Sequence, residues 1–306
     1  MRIGVTGSSG LIGTALVDAL HERGDDVVRF VRPGSAMFEA STAVRWNPAT
    51  NDLDEGDLRL VGGLDAVVHL AGAGIADRRW SEARRAEIAT SRAQSTSLLV
   101  SAVAAFPSGC AFVASGSAIG YYGSRGDEVL DESSAPGDDF LARVCVEWEA
   151  SAAPLRAFGT SVAYLRTGIV MSRRGGALAK QLPLFRLGLG GRLSTGRQWV
   201  SPISLEDEVR AILWLLERRL DGPCNLTAPK PLTNADFTRT LARILHRPAM
   251  ASVPAFALEL ALGRDLARDA VLASQRVLPH RLSEQGFTFH HPAAATILDW
   301  ALRPLP

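Results

Sequence analysis

The sequence predicts an α/β protein, a doubly wound parallel sheet joined to a smaller mixed C-terminal region. Three observations carry that prediction. The chain opens on a short apolar run, Met1-Arg-Ile-Gly-Val-Thr6, that ends in Gly7, Gly10 and Gly13. Apolar segments of strand length then alternate with segments of helical period, the pattern of a parallel sheet covered on both faces. After about residue 170 the alternation gives way to Gly175, Gly176, Gly188, Gly190, Gly191 and Gly196, followed by shorter helical periods and several prolines.

Residues 2–6 read as a first buried strand, and Leu11, Ile12, Ala15, Leu16, Ala19 and Leu20 then repeat with helical spacing up to Gly24. The glycines sit between strand and helix. A backbone without side chains lets a pyrophosphate approach the first amides of the helix, where unsatisfied N–H groups and the positive dipole end favour an anion. Gly7, Ser9, Gly10, Leu11, Ile12 and Gly13 are therefore candidate cofactor contacts, and the fold is expected to be of Rossmann type. Further strands are expected at 26–31, 66–70, 110–115 and 161–165, with helices over 81–104 and 140–157. In the second helix Phe140, Leu141, Val144, Cys145 and Trp148 mark one face. The expected division is a cofactor-binding domain at 1–172, with 197–232 returning to it, and a smaller substrate-side region formed by 173–196 and 233–306.

Composition narrows the classes of partner. The 306 residues are 47% hydrophobic, ample for a large core. With 33 basic against 32 acidic side chains there is no broad field to attract nucleic acid or an anionic membrane. No stretch of eighteen apolar residues occurs, so no membrane span is expected. Nothing at the start resembles a secretory leader, which makes the cytoplasm the expected compartment. Cys110, Cys145 and Cys224 lie far apart with no Cys-x-x-Cys pair, and the six histidines show no His-Glu-x-x-His spacing, so no metal site is expected.

The end of the second strand discriminates between the nicotinamide cofactors, because an acid there holds a ribose 2′-hydroxyl and an arginine suits a 2′-phosphate. The chain reads Arg29-Phe-Val-Arg32 at this point, which favours NADP(H). Leu70, Ala71 and Gly72 follow the next strand at the edge where ligands bind in such sheets. His69, within that strand, reads as a core residue rather than a catalyst. Ser115, Ser117, Tyr121 and Tyr122 form a hydroxyl-rich segment at the same edge and are the candidate catalytic groups. Arg197 and Gln198 read either as polar substrate contacts or as braces of their loop. Lys180, Arg186 and Arg192 read either as a receiver for an anionic substrate or as a solvated face. No Gly-x-Ser-x-Gly elbow is present.

The glycine spacing, His69-Leu-Ala-Gly72, the Ser115-x-Ser117 segment with Tyr122-Gly123, and Leu165-Arg-Thr-Gly-Ile-Val170 together resemble an extended short-chain dehydrogenase/reductase. Arg79-Trp80, Ser91-Arg92, Trp148-Glu149, Phe185-Arg-Leu-Gly-Leu-Gly-Gly191 and Ser274-Gln-Arg-Val-Leu-Pro279 resemble its atypical "epimerase family" branch, which carries its own C-terminal domain. The resemblance implies that Arg32 contacts a cofactor phosphate, that Glu87 and Arg92 meet the cofactor from the following helix, and that Val170 lies beside it. It further implies an oxidoreductase or epimerase-like enzyme acting on a small polar substrate, as monomer or homodimer.

One departure is settled by counting. The superfamily usually employs Tyr-x-x-x-Lys, in which the ammonium lowers the tyrosine pKa so that the phenol exchanges a proton. Four residues beyond Tyr121, Tyr122 and Tyr164 stand Arg125, Gly126 and Gly168, and four before Lys180 and Lys230 stand Gly176 and Leu226. The pair is absent, with Phe140 and Val144 in its expected place. Substitutes are Tyr121 or Tyr122 with Ser115 or Ser117, or Glu147 or Glu149. The other expectation is a cofactor-binding sensor or interaction protein that has lost turnover.

Overall fold

The structure, a computed structural model, describes residues 1–39 and 42–303. Its strands are β1 (Arg2–Thr6), β2 (Asp26–Val31), β3 (Ala43–Asn47), β4 (Asp52–Leu53), β5 (Leu64–His69), β6 (Cys110–Ala118), β7 (Val129–Leu130), β8 (Ser161–Thr167), β9 (Ile169–Met171), β10 (Gly191–Leu193), β11 (Trp199–Val200), β12 (Pro202–Ser204), β13 (Gly222–Leu226), β14 (Leu232–Thr233), β15 (Ala251–Val253) and β16 (Arg276–Val277). The α-helices are α1 (Leu11–Glu22), α2 (Glu55–Val61), α3 (Glu82–Ala105), α4 (Phe140–Ala152), α5 (Gly176–Arg186), α6 (Leu205–Arg218), α7 (Asn234–Leu245), α8 (Ala255–Leu262), α9 (Arg264–Leu266), α10 (His280–Glu284) and α11 (Ala294–Leu302).

Eight strands form one sheet in the order β13-β8-β6-β5-β1-β2-β3-β4, parallel throughout except for the antiparallel β3–β4 edge. Successive side chains of a strand point to opposite faces, so each central strand must supply two cores. Ala66 and Val68 of β5 pack with Leu16, Leu20, Ile212 and Leu215 from α1 and α6. Val67 between them packs with Leu98, Leu99 and Val103 of α3. A third core, with Met171, Leu178, Leu182, Phe185, Phe237, Leu241, Ile297 and Leu298, lies under α5, α7 and α11. Between α5 and α7 in sequence, β13 pairs with β8 at the edge of the main sheet.

Several boundaries differ from the sequence pattern for physical reasons. No strand is signalled by sequence between residues 32 and 65, yet β3 buries Ala43, Val44 and Trp46. Arg45 breaks its apolar run because Asp57 of α2 accepts from Arg45 Nε at 2.8 Å and from its backbone N at 2.9 Å. Strand β6 continues to Ala118, paired residue for residue with β8 through Ala118↔Thr167, so Ser115 and Ser117 belong to a strand and share one of its faces. Helix α4 stops at Ala152 and tightens into a 3-10 turn, Ala153–Phe158, where Pro154 has no N–H to donate.

The two regions are joined along a seam. Strand β16 pairs with β7. Gln275 Nε2 donates to Ile119 O at 3.0 Å and Gly123 O at 3.2 Å, and Arg281 donates its backbone N to the Glu132 carboxylate and its guanidinium to Pro223 O.

Candidate functional site

From β1 the chain winds outward through β2 and β3 in one direction and through β5, β6 and β8 in the other, so a crevice opens at the carboxyl ends of β1 and β5. The glycine turn fills its floor. Gly7 adopts φ +66°, and a Cβ there would lie 2.8 Å from the Leu70 carbonyl. Gly10 caps α1 in an extended conformation without a side-chain acceptor, and the first turn of α1 contains no acid. A Cβ on Gly13 would collide with Gly7 O. The first amides of α1 therefore remain free for an anion. The donor set and the space kept clear by these glycines fit a dinucleotide pyrophosphate.

Two clefts meet at this turn. The first, of about 600 Å³, is lined by Gly7, Ser9, Gly10, Arg32, Leu70, Ala71, Gly72 and Glu87, together with Ser35 and, from β3, Trp46 and Asn47. Arg32 is exposed at its rim, and among the described residues its guanidinium has no ion-pair partner. Glu87 is held by Arg84 and Arg78, each at 2.7 Å, which keep its carboxyl below the usual range. Beneath the Leu70–Ala71 wall, Thr6 Oγ1 accepts from both backbone amides at 3.1 and 3.2 Å and lies 2.8 Å from His69 Nδ1. His69 is fully buried, its other nitrogen 3.1 Å from Thr96 Oγ1, and burial lowers its pKa to about 3. It is a structural prop of the cleft.

The second cleft, of about 570 Å³, is lined by Leu11, Ile12, Gly13, Arg92, Ser117 and Val170, with Leu141, Val144, Cys145, Trp148, Thr167 and Gln275 among its other walls. Arg92 donates to Ala73 O and Ile88 O at 3.0 and 2.9 Å, and its guanidinium lies 4.8 Å from the Trp148 ring. That ring rests on Gly116, where a Cβ would approach it to 2.7 Å.

The four candidate hydroxyls separate. Ser117 lines the cleft and donates to Glu149 Oε1 at 2.7 Å, while Arg166 grips both oxygens of Glu149 at 2.9 and 3.0 Å. Ser115 is fully buried, and its Oγ has no hydrogen-bond partner among the described residues. The Tyr122 hydroxyl accepts from Arg166 at 3.0 Å and donates to Asn225 Oδ1 at 2.7 Å, and burial pushes its phenol well above the usual range. Tyr121 packs its ring 3.5 Å from the Arg166 guanidinium. Neither tyrosine lines either cleft.

Arg197 is exposed and Gln198 is buried with its Nε2 donating to Leu193 O at 3.1 Å; both lie outside the two clefts. Of the residues standing where Tyr-x-x-x-Lys is expected, Val144 lines the second cleft, and Phe140 packs against Trp80 and Arg85 instead. Glu147 is exposed. Sequence reasoning passed over Thr167 and Glu208. Thr167 lines the second cleft and donates to the fully buried Glu208 at 2.8 Å, and burial pushes that carboxyl up to about 8. The three cysteines are buried, and burial raises Cys110 to about 11 and Cys145 to about 12, so both remain thiols. Among the described residues, no group of His, Cys, Asp and Glu could hold a metal ion, and no helix is long and apolar enough to cross a membrane.

Comparison with known proteins agrees with this geometry. Residues 3–226 match the NAD dependent epimerase/dehydratase family, and residues 253–301 match a domain of unknown function, DUF1731. An epimerase family protein of Mycobacterium bovis is 43% identical over 300 residues, covering 98% of this chain and 97% of that protein. The crystal structure of human epimerase family protein SDR39U1 with NADPH superposes with a TM-score of 0.86 at 31% identity, covering 98% of this chain and 99% of that one. A nucleoside-diphosphate sugar epimerase of Corynebacterium glutamicum gives a TM-score of 0.75 at 34% identity; it covers 98% of this chain, which spans 58% of that one. By the extent of the family match and by its relatives over nearly the full length, the chain belongs to the NAD dependent epimerase/dehydratase family, in the branch that carries the additional C-terminal domain.

Proposed function

We propose that this protein binds NADP(H) across the two clefts and acts as an oxidoreductase or epimerase-like enzyme on a small molecule held beside Ser117. The observation that carries the reading is the continuity of the clefts through the glycine turn, with an arginine that has no ion-pair partner among the described residues at one end and an oriented serine hydroxyl at the other. The first amides of α1 hold the pyrophosphate, and Arg32 with Ser35 receives a 2′-phosphate, where a fork of N–H donors matches phosphate oxygens. The relative that binds NADPH supports the choice of phosphate. Once bound, the nicotinamide supplies hydride exchange. Because Ser117 directs its proton to Glu149, its lone pairs are free to accept a substrate hydroxyl, and Arg166 keeps that acceptor chain in place.

A titration with NADPH and NADH tests the cofactor assignment. NADPH is expected to bind more tightly, and Arg32→Ala to weaken NADPH by roughly 10- to 100-fold, the worth of one or two charge-assisted hydrogen bonds, while leaving NADH nearly unchanged. Equal affinities in the unmodified protein defeat the assignment. The second reading, a cofactor-binding sensor without turnover, rests on Val144 in the lysine position and on the occupation of both Glu149 oxygens by Arg166. NADPH binding without NADPH oxidation across a broad panel of carbonyl compounds would favour it.

A further inference from the structure

The second cleft also carries information about what occupies it beside the cofactor. Its charged lining consists of Arg92 and Lys180 against Asp77 and Asp269. Arg92 is committed to two carbonyls and the Trp148 face, and Lys180 Nζ donates to Ala76 O. Asp269 sits in the π-helical turn Ala267–Val271, and burial together with Asp139 and Asp265 nearby raises its pKa. A diphosphate placed here would meet the carboxylates of Asp269 and of Asp77, the latter 3.6 Å from Arg84, against Arg92 and Lys180, a balance of charge with no excess of cations, whereas sites for such groups present Arg or Lys forks directed at the phosphate.

The other side chains of the lining are mostly apolar, with Ser117, Thr167 and Gln275 the polar ones. Ile119, Leu141, Val144 and Trp148 line the cleft on the side of β6 and α4, and Ser117 is the neighbouring hydroxyl. The volume of about 570 Å³ also includes the stretch along Gly7 and Gly10–Gly13 that the cofactor occupies. What is left suits a compact ligand with one hydrogen-bonding oxygen and an apolar body, the usual composition of a small-molecule pocket.

We infer that the substrate of this cleft is a small uncharged carbonyl compound or its alcohol, bearing an alkyl or aromatic group, and not a nucleoside diphosphate sugar. This rests on the cofactor reading above and replaces the small polar substrate expected from sequence. The apolar wall selects the body of the ligand, and Ser117 Oγ accepts from the hydroxyl of the alcohol, or turns its O–H from Glu149 to the carbonyl of the ketone.

The test titrates 4-phenylbutan-2-one and, in parallel, UDP-glucose into the full-length protein with and without NADPH, binding being read by calorimetry and thermal shift. The ketone is expected to bind and UDP-glucose to give no saturable signal. Leu141→Asp, which sets a carboxylate in the apolar wall, is expected to weaken the ketone by about tenfold or more, and Leu141→Ala to weaken it less. The NADPH titration on each variant reports separately whether the fold and the cofactor site survive. Saturable binding of UDP-glucose, or no binding of the ketone by protein that binds NADPH, overturns the inference and leaves the cofactor reading standing. Loss of NADPH binding by the unmodified protein defeats the cofactor reading itself, and the ketone titration without NADPH still decides the nature of the apolar wall.

Discussion

The two clefts share a floor and are built on opposite principles. The first rests on backbone, Gly7, which admits no Cβ, Gly10, and the Leu70–Ala71 peptide pinned by Thr6, with Arg32, Trp46 and Asn47 as its walls. The second is made from side chains that meet only in the folded protein, Ser117 with Glu149 and Arg166, Trp148 with Arg92, Thr167 with Glu208. A backbone site tolerates little substitution and keeps one chemistry. A side-chain site can change its chemistry one residue at a time, and Val144 gives this one an apolar wall where a proton relay would need a charge.

The sharpest way to break the comparison is at Gly13. A Cβ there collides with Gly7 O, so Gly13→Val is expected to abolish NADPH binding, as read by fluorescence titration, and to lower the thermal midpoint. Ser117→Ala tests the other side. It should reduce turnover of an accepted carbonyl substrate by about 100-fold and leave NADPH affinity within about twofold, since the hydroxyl belongs to the side-chain cleft; a parallel loss of cofactor affinity would show that the clefts are not separable.

The most gradual expected effect is on stability against pH, and here the clefts pull in opposite directions. His69, under the first, has a folded pKa of about 3 against 6.5 for an unperturbed imidazole, so between those values the unfolded chain holds the extra proton and stability falls as pH drops. Glu208, behind the second, has a folded pKa of about 8 against 4.5 for an unperturbed carboxyl, so the native state holds the extra proton and stability falls as pH rises through that window. Each limb approaches about 1.4 kcal/mol per pH unit at most. Chemical denaturation across pH should show His69→Gln flattening the acid limb and Glu208→Gln the alkaline limb; unchanged profiles would remove both assignments.

The difference between the clefts also decides what could be read in advance. Gly7, Gly10, Gly13, Arg32 and Leu70–Gly72 are contiguous with strand ends, so spacing alone locates them, and the parallel sheet follows from the same alternation. Tyr121 and Tyr122 looked equivalent to the serines because they follow the same strand. Their rings are claimed instead by Arg166, and the Tyr122 hydroxyl by Asn225, 103 residues away in sequence. Glu206, Asp207 and Glu208 form the acidic first turn of α6, a favourable placement at a helix start. Only the packing of α6 on the sheet reveals that Glu208 is fully buried. The wall contributed by Trp46 and Asn47 was hidden because Arg45 interrupts the run that would have marked β3.

The seam formed by β16, Gln275 and Arg281 bears on how such a protein can be taken apart. The recognised sequence families divide the chain at 226 and 253, but the hydrogen bonds of Gln275 reach the backbone on either side of the turn after β6, and those of Arg281 fasten the end of the chain to Pro223 and Glu132. Units of inheritance and units of mechanical integrity therefore differ here. A chimera that exchanges the C-terminal segment between relatives transplants one half of a joint, and it will cohere only where the receiving turn presents the carbonyls that Gln275 needs.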